Sequence, residues 1–72
     1  VRSHLTKRSF TLAGHRTSVA LEPEFWAVIE TAAAARGISL AALLGELDAA
    51  RAETGAPLAS TLRVFALCSV AG

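Results

Sequence analysis

Residues 16–21 read Arg-Thr-Ser-Val-Ala-Leu and alternate strictly. Thr17, Val19 and Leu21 face one way, and Arg16, Ser18 and Ala20 the other, as the period of two in a β-strand requires. A strand of six residues cannot stand alone, because its backbone donors and acceptors need partners. Nothing downstream offers a second clear strand. The stretch therefore pairs with the residues just before it, with a second copy of itself, or with both.

The preceding residues supply one candidate. From Lys7 the chain alternates again, with Arg8, Phe10 and Leu12 set against Ser9, Thr11 and Ala13. Phe10 and Leu12 give this segment one apolar face. Gly14 interrupts it, as a tight turn or a bulge. The expectation is two strand segments, about 7–13 and 16–21. Residues 1–6 have no periodicity and read as a disordered basic N-terminus.

Helices follow. Pro23 suits a first helical turn, where its missing N–H costs nothing, and Glu22 and Glu24 favour the positive end of the helix dipole. Gly37 is a natural stop, so helix A is expected over 23–36. Phe25, Ile29, Ala32 and Ala33 should form its apolar face, with Trp26 and Val28 at the margins. Ser39 is a candidate N-cap for helix B over 40–53, whose stripe is Leu40, Leu43, Leu44 and Leu47. Gly45 costs up to about 1 kcal/mol inside a helix, so a close helix crossing is expected there. After Gly55-Ala56-Pro57, a C-terminal helix over 57–70 is apolar most of the way round and should pack on more than one side.

Composition points to assembly. Of 72 residues, 53% are hydrophobic and 18% charged. A lone domain this small has a marginal core and would leave much apolar surface in water. A homodimer answers both problems. Its expected core is Val19, Leu21, Phe25, Ile29, Leu43, Leu44 and Leu47, with the C-terminal helix packed on the dimer.

The net charge of +1 conceals an asymmetry. Residues 1–16 hold Arg2, Lys7, Arg8 and Arg16 and no acid, whereas the remainder is net acidic. A basic arm on an acidic body suits a polyanion partner. The single cysteine, Cys68, excludes an intrachain disulfide, reads as a small buried hydrophobe and fits a reducing cytoplasm. No apolar run approaches the roughly 20 residues that span a bilayer, and the basic N-terminal stretch lacks the apolar segment of a signal peptide. His4, His15 and Cys68 make no metal set. No spacing suggests an activated nucleophile, so neither catalysis nor a cofactor is expected.

Arg-Thr-Ser-Val-Ala-Leu, then Glu-Pro-Glu-Phe-Trp, then Gly-Ile-Ser-Leu, in this order and spacing, resemble the ribbon-helix-helix family of bacterial DNA-binding repressors, which includes Arc and MetJ. The chain as a whole looks like the short bacterial proteins that carry such a domain. The resemblance covers roughly residues 15–51 most closely, and a ribbon-helix-helix domain is expected over 7–54. It implies a mainly α fold with a short β ribbon, an intertwined homodimer and, here, an extra C-terminal helix.

The resemblance also implies a mechanism. Two chains pair their strands, the ribbon enters the major groove of double-stranded DNA, and outward side chains read base edges. Carried onto this sequence, the base contacts are Arg16, Ser18 and Ala20. The start of helix B, at Ile38, Ser39 and Leu40, would hold a phosphate through backbone N–H groups. Lys7, Arg8 and His15 are further expected phosphate contacts. Two residues depart from the family pattern. Ala20 stands where a long polar or basic residue is common, and alanine reads little beyond a thymine methyl. Leu40 replaces a polar or basic residue near the phosphate. They motivate an alternative: a protein–protein interaction or antitoxin-like module with little DNA reading, docking a second protein through the C-terminal helix.

Overall fold

The computed structural model describes residues 4–71, so Arg2 and most of the expected disordered N-terminus lie outside it. Five elements follow in order: β1 (Thr6–Leu12), β2 (His15–Leu21), α1 (Pro23–Arg36), α2 (Leu40–Arg51) and α3 (Leu58–Ala71).

β1 and β2 form a two-stranded antiparallel hairpin with Leu12 opposite His15 and Thr6 opposite Leu21. The connection is the dipeptide Ala13-Gly14, with φ of 53° and 80°. Two consecutive positive φ angles match the right-handed twist of the strands. Gly14 takes this conformation freely, whereas Ala13 holds it against its own Cβ at a cost of about 1–2 kcal/mol. β2 thus finds its partner in the residues just before it. The second strand of the ribbon, expected from another copy of the chain, is here β1 of the same chain, because a two-residue turn brings the segments together in register.

Glu22 leaves β2 in extended conformation and Pro23 opens α1. Gly37 ends it at φ 70°, and the amide of Ile38 closes back on the carbonyl of Ala33 at 3.1 Å. The chain turns by 100° into α2. The Ser39 hydroxyl caps α2 by accepting from the Ala42 amide at 3.0 Å. α2 stops at Arg51, two residues short of the expected end. The carbonyl of Arg51 accepts from the amides of Thr54 and Gly55. Its guanidinium bonds Asp48 at 2.7 Å and the Ala56 carbonyl at 3.0 Å, tying the loop to the helix end.

One core joins all five elements: Leu12, Val19 and Leu21 from the hairpin, Trp26, Ile29 and Ala33 from α1, Leu43 and Leu44 from α2, and Leu58, Leu62 and Ala66 from α3. Each fully buried leucine contributes about 1.5–3 kcal/mol. Of the seven residues expected as a shared dimer core, Val19, Leu21, Ile29, Leu43 and Leu44 are buried within a single chain, and Phe25 and Leu47 pack beside them half-buried. The hairpin and α3 supply the cover that a second subunit was expected to give.

Trp26 is central to the core. Its ring stands 5.9 Å from that of Phe10, and its Nε1–H donates to the Thr6 carbonyl at 2.8 Å. Phe25, expected at the centre of the α1 face, sits at the margin under the Arg63 guanidinium. Cys68, expected buried, is exposed. A Cβ built on Gly45 meets nothing within 4 Å, so no helix of the same chain crosses there.

Candidate nucleic-acid interface

The hairpin has two unlike faces. Arg8, Phe10, Leu12, Thr17, Val19 and Leu21 turn toward the helices, and the three apolar positions nearest them, Leu12, Val19 and Leu21, are buried. The opposite face carries three cross-strand rows: Lys7 with Ala20, Ser9 with Ser18, and Thr11 with Arg16. Lys7, Ser9, Thr11, Arg16 and Ser18 are exposed, and Ala20 is half-buried. Neither strand contains a carboxylate. The rows span four residue steps, about 14 Å, which is the rise of about four base pairs.

The central row is tied together. The Ser9 and Ser18 hydroxyl oxygens lie 2.9 Å apart, one donating to the other. Each hydroxyl keeps further hydrogen-bonding capacity for a base edge or a phosphate. At the end of the face nearest the turn, Arg16 makes no ion pair within the described residues. Its fork of five donors can address two acceptors in one plane.

The expected contacts divide by position. Arg16, Ser18 and Ala20 share the outward face, and Lys7 joins them from β1. Arg8 is on the other side. Its guanidinium pairs with Glu30 and stacks on Trp26, 5.1 Å from the ring centroid. His15 lies beside the turn, opposite Leu12 and off the outward rows. Ile38, Ser39 and Leu40 form the entrance to α2, with Ser39 exposed and no acid in the first turn. The N–H groups that begin any helix lack partners within it, and here the serine cap satisfies one of them.

Ser9 and Thr11 were not among the expected readers, although the hairpin sets them level with Ser18 and Arg16. Their alternation with Phe10 and Leu12 was legible. Their membership of the same face depended on which strand β2 would choose as partner.

A two-stranded ribbon leading into two helices set at 100°, with a third helix closing the core, is a ribbon-helix-helix architecture. The chain matches the ribbon-helix-helix domain over residues 5–70 and belongs to that family. Domains of this family are typically DNA-binding regulators, and they usually act as dimers. No curated protein and no solved structure gives a match to the chain. Among the described residues no cluster of side chains suits a metal ion, and no single helix is long and apolar enough to cross a membrane.

Proposed function

We propose that this chain is a homodimeric, sequence-specific DNA-binding protein, a transcriptional repressor acting in the bacterial cytoplasm, and that it binds rather than catalyses. The observation that carries this reading is the outward face of the hairpin. It is polar, free of acids, furnished with Lys7 and Arg16, and mounted on a ribbon of the width that the major groove admits. Arg16 is the principal base reader, with Ser9, Thr11 and Ser18 beside it. Lys7 and the entrance to α2 at Ile38, Ser39 and Leu40 hold phosphates. Each chain brings a complete ribbon to the duplex.

The test is binding of the wild type, Arg16→Ala and Lys7→Ala to duplexes selected from the source genome and to random duplexes, across a salt series. Arg16→Ala should lose discrimination worth about 1–3 kcal/mol. Lys7→Ala should weaken all duplexes alike and flatten the salt slope by about one unit for each phosphate it no longer neutralises. An unchanged specificity ratio in Arg16→Ala would remove Arg16 as a reader. Failure to bind any duplex at low salt would favour the second reading, an interaction module, which the uncharged exposed side of α3 supports.

A further inference from the structure

α3 has a surface that neither the core nor the hairpin explains. It is 14 residues long and carries one charge, Arg63. That charge is turned away from the exposed side, with Nε and NH2 on the Glu22 carboxylate at 3.1 and 3.0 Å and the guanidinium 5.8 Å from the Phe25 ring centroid. What α3 presents to solvent is Val64, Leu67 and Val70, which are 57%, 58% and 66% exposed, with Cys68 exposed among them. Those three apolar residues alone leave roughly 300 Å² uncovered, the size of the largest apolar patch on a typical monomer.

The patch continues into an open groove between α1 and α3. Ala27, Val28, Ala32 and Ala35 line it from α1, and Phe65 and Val70 from α3. Small side chains on the α1 wall let a helix ridge approach closely. Arg36, the one charge on the groove, is compensated within the chain by Glu46 at 3.6 Å and lies over Phe65.

We propose that this uncharged face of α3, with the adjoining α1–α3 groove, is the surface on which two copies of the chain pair. The inference rests on the homodimer reading above and goes further by naming the interface. A two-fold contact needs one patch that is both knob and hole. Here the crest at Leu67 stands beside a groove of matching chemistry, so one chain's crest seats in the other's groove. A charged partner would find nothing to pair with, since Arg63 and Arg36 already have their acids. Crest and groove walls together offer roughly 600–800 Å² per chain, close to the ~800 Å² per partner of a standard stable interface. The hairpin stays outside this contact, and the dimer presents two separate ribbons.

The test compares the wild type with Leu67→Glu by sedimentation at micromolar concentrations, with circular dichroism as the check on folding. Leu67 is more than half exposed, so the substitution disturbs little within one chain. A glutamate buried in the interface should raise the dimer dissociation constant by about 100-fold or more at unchanged helix content. A second measurement needs no substitution. Alkylation of Cys68 should slow as the wild-type concentration rises through the dimer transition, because the thiol lies on the covered face. A dimer that persists in Leu67→Glu, or a Cys68 rate that ignores concentration while the wild type dimerises, would overturn this interface and leave the homodimer standing on another surface. A wild type that stays monomeric would overturn the homodimer reading itself, and the duplex titrations would still decide DNA binding separately.

Discussion

The ribbon can be locked without touching the core. Ser9 and Ser18 face each other with their oxygens 2.9 Å apart. Counting outward from the closing pair Leu12 and His15, they occupy a non-hydrogen-bonded site, where opposed Cα atoms lie about 4.5 Å apart. A disulfide accepts Cα separations of about 4.4–6.8 Å. Replacing both serines by cysteine, with Cys68→Ser to remove the native thiol, should therefore give an intrachain bond on mild oxidation. The closed loop is about ten residues, and the chain-entropy relation assigns it about 2.5–3 kcal/mol. With a urea m-value of about 1 kcal/mol/M for so small a domain, the oxidised form should unfold at a midpoint about 2–3 M above the reduced form of the same variant. Using the reduced form as reference cancels the loss of the serine hydrogen bond. Non-reducing mass spectrometry on dilute protein gives the linkage, and urea titration gives the energy. Disulfide-linked dimers as the main oxidised product would refute the intrachain ribbon, because a shared ribbon brings these positions together between chains. An oxidised monomer with no gain in midpoint would refute the geometry of the pair.

Two further outcomes follow from side chains outside the ribbon. The Glu22 carboxyl is held below its ordinary value of 4.5, first by a hydrogen bond from its own backbone amide and then by the Arg63 guanidinium. A lowered carboxylate stabilises the fold fully above the ordinary value, and the contribution disappears as pH falls through the lowered one. Acid unfolding of Arg63→Gln should therefore depend less on pH below about 4.5 than that of the wild type, and identical profiles would refute the coupling. Gly45→Ala places a methyl in open space and should stabilise an isolated chain by about 0.5–1 kcal/mol in thermal or urea unfolding. A loss of stability there would mean that another chain packs against that side of α2.

The legible parts of the fold were those governed by neighbouring residues. Alternation around Phe10 and Val19 marked both strands, and Pro23, Gly37 and Ser39 marked the helix ends, because each acts through its own backbone. The partner of β2 was not legible. The primed turn uses Ala13 where asparagine would have announced it, and a bare Ala-Gly is equally compatible with a bulge. The inner face of α1 was also hard to choose. Alanines at 27, 32, 33, 34 and 35 spread apolar surface round the helix. The sets Phe25, Ile29, Ala32 and Trp26, Ile29, Ala33 both follow a helical period. The hairpin decides between them, because Trp26 alone has an N–H that reaches the Thr6 carbonyl. For the candidate site, alternation separated Arg16 and Ser18 from Val19 correctly. The basic count misled over Arg8, whose charge serves Glu30 and Trp26 rather than the outward face.

The two-residue turn at Ala13-Gly14 has a consequence at low copy number. When a ribbon is made of one strand from each of two chains, it exists only while the chains are associated, and dilution removes it with the square of the concentration. A ribbon closed within about sixteen consecutive residues forms by a local step that takes on the order of microseconds and has no dependence on concentration. For this chain, mass action governs how many ribbons act together on a duplex, but not whether a ribbon is there to act.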